Sequence, residues 1–246
     1  MFYGLDKDKA ERFLRAVQTI GETYPRHFLG DNLIALDRNM GFYEDARFMQ
    51  AFKAVVTPKT HEPSLIWRLH VLAWAADHCL RLPGDFVECG VFKGFSTAVL
   101  AQYLDFAKLP QRWFLYDTFS GVPERQLNSD DENPAAYLDP QLHAFVLERF
   151  AAYPNIRVIR GQVPEILETE APDSVSYLHI DMNSADAELG ALEQLFHRVV
   201  PGGLVVLDDY GWHQYREQKY VEDAFFGRVG YRVLELPTGQ GLVVKR

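Results

Sequence analysis

The sequence predicts an α/β protein built on one mostly parallel, seven-stranded sheet with a C-terminal antiparallel hairpin and an N-terminal helical extension. Three observations predict it. From residue 85 onward, short apolar runs alternate with stretches of helical period, the pattern of a parallel sheet with crossover helices. Residues 231–246, "YRVLELPTGQGLVVKR", instead place two runs around a Pro-Thr-Gly-Gln-Gly turn, as a hairpin does. Residues 1–83 carry mainly helical periodicity, and Pro83-Gly84 breaks it. Residues 1–83 therefore read as a helical extension suited to a lid or an oligomer contact. Residues 84–246 read as the domain that carries the chemistry.

The elements follow in order. "KAERFLRAVQTI" and "PSLIWRLHVLAWAADHCLRL" repeat apolar residues at helical spacing, and "LIALDRNMGFYEDARFMQAF" between them mixes helix and loop character. "DFVECG", "RWFLYD", "NIRVIRG", "SVSYLHID" and "GGLVVLDD" are the strand candidates. Helices are expected over Ser96–Leu104, Asp139–Ala152, Val163–Glu168, Ser184–Val200 and Tyr215–Val229. In "SADAELGALEQLFHRVV", Asn183 or Ser184 supplies the cap, and Leu189, Leu192, Leu195, Phe196 and Val199 form a packing face.

The bulk composition narrows the partners. The chain has 246 residues, 48% hydrophobic and 24% charged, enough for a large core without covalent staples. Its net charge of −9, without a Lys/Arg block, argues against nucleic acid. No apolar run is long enough to span a membrane, and no signal peptide is visible. Two cysteines, Cys79 and Cys89, make no disulfide framework, so a cytoplasmic location is expected. The aromatic load of "FYEDARFMQAFKAVV" exceeds the needs of one helix layer, and a homodimer or higher oligomer is expected from it.

Four strand candidates end in an acid: Glu88, Asp117, Asp181 and the pair Asp208-Asp209. Ligands of open α/β sheets bind beyond the carboxyl ends of the strands, so these five carboxylates gather around one crevice. Capping of the following helices is the other use for such acids. "FVECGVFKGFS" adds two glycines, Gly90 and Gly94, directly after Glu88. Bare backbone there lets a ligand approach closely. The carboxylate beside it selects an ammonium or sulfonium over a pyrophosphate, and the third glycine of a dinucleotide fingerprint is missing.

"ECGVFKGFS" resembles the first motif of class I S-adenosylmethionine (SAM)-dependent methyltransferases. Together with "WFLYDTFSGVPE", "VVPGGLVVLDDYG" and "DRNMGFYEDARFMQAF", it resembles the macrocin O-methyltransferase family of sugar O-methyltransferases. The resemblance implies a Rossmann-like fold and a chain of roles. Glu88, Gly90 and Gly94 hold the methionine part of SAM, and Ser96 contacts its carboxylate from a helix N-terminus. Asp117 accepts from the ribose hydroxyls, Thr118 and Phe119 flank the adenine, and Gly161 and Gln162 line its edge. Asp181, Asp208 and Asp209 correspond to the family's metal ligands, so Mg²⁺ or Mn²⁺ is expected, with Asp181 shared between metal, cofactor and catalysis. Three hard oxygens suit such an ion, and adjacent acids repel without a cation.

The chain departs from the family after Asp181, where "DMNSADAE" lacks the usual Gly-Asp-x-Tyr, and Ser184 sits where catechol-type enzymes carry a lysine base. His213, in "DDYGWHQY", is then the expected base, with a loop histidine as the plainer reading. His179 sits deeper on the strand of Asp181, as a core or supporting group. Tyr210 and Trp212 face either an acceptor or the core. The acceptor is a sugar hydroxyl of a glycoside or glycan, or alternatively a phenol or catechol. A SAM-binding module without catalysis is the third reading. The acceptor pocket is expected from the N-terminal helices and Asp130–Pro140.

Overall fold

The computed structural model describes residues 1–121, 123 and 138–246. Most of the expected pocket segment Asp130–Pro140 lies outside the described residues.

The chain opens with a helix, α1 (Lys7–Thr23), which Asp6 caps by accepting from the Asp8 N–H at 3.0 Å. A two-stranded antiparallel hairpin follows, β1 (His27–Gly30) and β2 (Leu33–Leu36), turning at Asp31-Asn32. Both turn residues have φ of 52°, the left-handed geometry of a tight hairpin turn, which Asp and Asn tolerate. This hairpin corrects the reading of residues 1–83 as helical: "HFLGDNLIAL" alternates around its turn residues. Two helices complete the N-terminal region, α2 (Ala46–Val55) and α3 (Ile66–Cys79).

The main sheet has strands β3 (Asp85–Cys89), β4 (Trp113–Asp117), β5 (Ile156–Arg160), β6 (Val175–Ile180), β7 (Val199–Leu207), β8 (Leu234–Glu235) and β9 (Gly241–Val244). Their order is β5-β4-β3-β6-β7-β9-β8. The first five are parallel, and β9 inserts antiparallel between β7 and β8. Crossovers run through α4 (Phe95–Tyr103), α5 (Leu142–Phe150), the short α6 (Leu167–Glu170), α7 (Ala185–Leu195) and α8 (Arg216–Arg228). All seven expected strands are present, and Ser184 caps α7.

Side chains alternate across the sheet, so both faces are buried. Phe86, Trp113, Tyr177, Leu204 and Val206 join one core with α2, α3 and α4. Val87, Phe114, Leu178, Val205 and Leu207 join the other with α7 and α8. Phe42, Phe48 and Phe52 are buried in the first core. Three of the four aromatics that suggested an oligomer thus pack within the chain, and Tyr43 is exposed. Cys79 and Cys89 are buried free thiols. No described helix is long and apolar enough to cross a membrane.

The chain builds from β3 outward to β4 and β5, then returns to β6 and β7 on the other side of β3. The carboxyl ends of β3, β4, β6 and β7 therefore frame a crevice at the point where strand order reverses.

Candidate active site

A cavity of about 650 Å³ occupies that crevice, a size suited to a nucleoside-containing ligand. Its floor is set by strand ends tied through their backbones. Gly90 N–H donates to Tyr116 O at 2.9 Å, Asp181 N–H to Cys89 O at 2.8 Å, and Gly161 N–H to Asp117 O at 3.0 Å. Gly90 has φ of 87°, and a Cβ there would lie 1.8 Å from the Asp181 carbonyl oxygen. No side chain fits where β3 passes β6, which is the physical reason for the glycine.

Asp117 holds this loop. Its Oδ2 accepts from the N–H groups of Val91 and Phe92, both at 2.8 Å, and its Oδ1 from Phe119 N–H at 2.7 Å. The carboxylate lines the cavity and retains lone pairs for a ligand. Thr118 and Gly161 line the cavity beside it. Phe119 is buried and stacks on His143 at 4.8 Å, away from the lining. Gln162 has a buried amide nitrogen without a partner among the described residues.

Glu88 takes a supporting position. It is 1% exposed, accepts from Thr97 Oγ1 and from Ser96 Oγ at 3.5 Å, and lies 3.2 Å from His179 Nδ1. Neither Glu88 nor Ser96 lines the cavity. Gly94 starts α4 with φ of 67° against the Phe150 ring, and Lys93 is exposed.

The opposite end of the cavity holds Asp31, Arg68, Asp181, Asp208, Asp209 and Trp212. Arg68 comes from the buried face of α3. Its Nε donates to Asp31 Oδ2 at 2.7 Å, and its Nη1 donates to Asp208 Oδ2, to Asp208 O at 3.2 Å and to Asp209 Oδ1 at 3.0 Å. The Trp212 ring covers the guanidinium at 4.9 Å, and Tyr3 packs edge-on against Trp212 at 5.9 Å. Tyr3 is fixed by its N–H donating to Asn32 Oδ1 at 2.6 Å, and Asp31 N–H donates to Met1 O at 2.8 Å. The chain start and the hairpin turn thus close this end.

The electrostatics follow from that packing. His179 lies between two acids, Glu88 on Nδ1 and Asp208 on Nε2 at 3.4 Å. Burial alone would lower its pKa, but these bonds outweigh burial and hold the imidazolium up to about 10. Burial likewise opposes the Asp208 carboxylate. Arg68, His179 and the Gln240 Nε2 donor at 2.8 Å nevertheless keep Asp208 below the usual carboxylate range. Asp209 is pushed up to about 6 by burial and the adjacent Asp208, against the pull of Arg68. Asp181 rises well above the usual range through burial and the charges of Asp208 and Asp209. Its carboxyl has no hydrogen bond to protein among the described residues.

The expected divalent ion does not fit this donor set. Both Asp208 oxygens already accept from protein donors, and Asp209 Oδ1 accepts from Arg68. His179, Asp181 and Asp208 offer atoms within 4.8 Å of one another, but both His179 nitrogens face acids. An imidazolium has no lone pair for a metal. The repulsion that called for a cation is answered by Arg68. His213 is exposed and outside the lining, while its neighbours Gln214 and Tyr215 face the cavity. Tyr210 is buried and donates to Asp223 at 2.6 Å. Arg68 and Asp31 escaped the sequence reading. The available signal was an arginine in phase with Leu72 and Ala75 on a helix of core residues.

The comparisons agree with this geometry. Among solved structures, the O-methyltransferase NovP superposes with a TM-score of 0.65 over 84% of this chain and 99% of its own, at 17% identity. The calicheamicin methyltransferase CalS11 superposes with a TM-score of 0.55 over 85% of this chain and 94% of its own, also at 17% identity. These likenesses establish the class I methyltransferase fold. A tetracenomycin 4'-O-methyltransferase of Streptomyces olivaceus is 27% identical over 58% of this chain, which spans 61% of that protein. The mycinamicin III 3''-O-methyltransferase of Micromonospora griseorubida is 26% identical over 63% of this chain, which spans 70% of it. The family model of the macrocin O-methyltransferases (TylF) matches residues 67–225. That match runs from α3 through α8 and takes in the glycine loop and every strand-end acid, and the chain belongs to the macrocin O-methyltransferase family.

Proposed function

We propose that this protein transfers the methyl group of SAM to a hydroxyl of a sugar or glycoside. One observation carries the reading. A single cavity joins the glycine loop with its Asp117 carboxylate at one end to a second, acid-rich cluster at the other. When bound, SAM supplies an electrophilic methyl group on a cationic sulfonium. The residues fit it: an acidic cavity favours that cation, Asp117 offers acceptors to ribose hydroxyls, and Thr118 and Gly161 line the wall beside it. Glu88 acts from behind the loop by fixing Ser96 and Thr97 at the start of α4.

The acceptor hydroxyl must lose its proton as it gains the methyl group. Asp181 lines the cavity with its carboxyl unengaged by protein donors among the described residues, so it takes that proton. Residues 1–4 and the hairpin turn cover the acceptor end and act as a lid that excludes water. The sugar class follows from the two relatives, whose names specify methylation of a rhamnosyl tetracenomycin and of mycinamicin III. The cluster around Arg68 adds hydrogen-bonding groups suited to a polyol.

Titration calorimetry with SAM tests the cofactor. The wild type should bind at micromolar Kd. Asp117→Ala should lose at least about 100-fold, because two hydrogen bonds to a charged acceptor are worth about 1.5–3 kcal/mol each. Unchanged affinity in that variant, or tighter binding of NADH than of SAM, would overturn the reading.

A further inference from the structure

Arg68 stands out in the molecule. Its helix buries Ile66, Leu69, Leu72, Ala73, Ala75 and Ala76, yet it carries a guanidinium into the same core. A buried charge is tolerated only when paired and fully hydrogen-bonded. Here Nε meets Asp31, Nη1 meets Asp208 and Asp209, and Trp212 covers the planar face. Nη2 alone has no hydrogen-bond partner among the described residues, and Arg68 is part of the cavity wall.

The charges balance in a telling way. A divalent cation between Asp208 and Asp209 would bring two positive charges. Arg68 already brings one to both acids, and His179 occupies the opposite oxygen of Asp208. An ion at the usual oxygen distances of about 2.0–2.6 Å from Asp208 Oδ2 and Asp209 Oδ1 would have to displace Arg68 from both atoms. The displaced guanidinium would remain in the core beside Asp31 with most of its donors unmet.

We propose that Arg68 is the resident cation of the acceptor end, donating from Nη2 to the acceptor oxygen and excluding a divalent metal from Asp208 and Asp209. The acceptor role rests on the methyltransferase reading, whereas the exclusion of metal does not. Guanidinium suits the role because it stays charged at any working pH and offers donors in a fixed fork. Polarisation of the hydroxyl would then need no exchangeable ion.

The test is calorimetric titration of MgCl₂, and separately MnCl₂, into the purified wild type and into Arg68→Ala. SAM is titrated alongside as a control. The wild type should show no saturable heat up to millimolar ion. Arg68→Ala, which frees three carboxylates with no compensating charge, should gain a one-ion site at least tenfold tighter than any wild-type response. Stoichiometric binding by the wild type overturns the proposal, as does an Arg68→Ala protein that folds and binds no ion. Should Arg68→Ala fail to fold, Arg68→Gln takes its place, and the wild-type titration decides by itself. Loss of SAM binding by the wild type would refute the methyltransferase reading and leave the metal result intact. Once an acceptor is found, EDTA should leave wild-type turnover unchanged, and Arg68→Lys should keep more turnover than Arg68→Gln.

Discussion

The two ends of the cavity are held by different forces. At the cofactor end, Gly90, Asp117 and Gly161 follow neighbouring strands, and the sheet register itself brings them together through backbone hydrogen bonds. At the acceptor end, the Arg68 side chain reaches Asp31, 37 residues away, and Asp208, 140 residues away, with no strand register to place them. The first end inherits its geometry from the fold. The second is an assembly of opposed charges whose geometry exists only while the charges match. Changes at the first end should therefore act on folding and cofactor binding together. Changes at the second should act on charge balance and selectivity, with the fold largely kept.

Gly90→Ala should break the first end most completely. Left-handed backbone costs a residue with a Cβ about 1–2 kcal/mol, and here the added carbon meets the Asp181 carbonyl at 1.8 Å. Relief requires β3 and β6 to part where Cys89 and Asp181 are bonded. We expect a stability loss above about 3 kcal/mol by chemical denaturation and no measurable SAM binding. A variant that denatures like the wild type and still binds SAM would mean that the loop does not close as described.

The same contrast explains what could be read from the sequence. The strand-end acids, the glycine loop and the seven strands are local signals, carried by contiguous residues whose spacing is fixed by strand and turn geometry. The Arg68 cluster has no local signal beyond one charge in phase with the apolar residues of α3. Asp31 was hidden because the region before residue 84 was taken as helical, although "GDN" between apolar residues marks a hairpin turn. The metal expectation leaves out Arg68 for a related reason. Three acids with family spacing were visible, but the arginine that neutralises them arrives from another part of the chain. His213 was a matter of phase: the short helical turn His213–Tyr215 faces Gln214 and Tyr215 inward and leaves the histidine outside.

A smaller effect is expected beneath the acceptor end, where α7 packs on α8. Glu188 and Glu222 are both buried, burial and the charge of Glu222 raise the Glu188 carboxyl well above the usual range, and Glu188 Oε1 accepts from Met182 N–H at 3.1 Å and Gln218 Nε2 at 3.0 Å. Burial, chiefly, pushes Glu222 up to about 8 from an ordinary 4.5. A raised carboxyl pKa means that the folded state binds a proton the unfolded state has released. Its contribution is therefore full below about pH 4.5 and lost as pH rises through about 8. Glu222→Gln keeps a side chain of the same size and has no proton to lose. The variant should be more stable than the wild type above pH 8, with a flatter decline between pH 5 and pH 8. Melting temperatures measured across that range should diverge, and parallel curves would rule out the raised Glu222 carboxyl.

The smallest effect should come from His213→Ala. A base must reach the acceptor proton directly or through one water. His213 is exposed on a turn whose neighbours, not itself, face the cavity, so its ring has no route to a hydroxyl held there. Turnover and SAM affinity should stay within about twofold of the wild type. Asp181→Asn, at the same end but on the cavity wall, is the matched contrast. It should lose about 100-fold or more in kcat, since general base catalysis contributes about 10²–10⁴, while SAM still binds. The pair discriminates between the two placements of the proton acceptor. A large loss in His213→Ala at unchanged stability would mean that the turn rotates inward when the acceptor binds, and would transfer the role from the strand end to the loop.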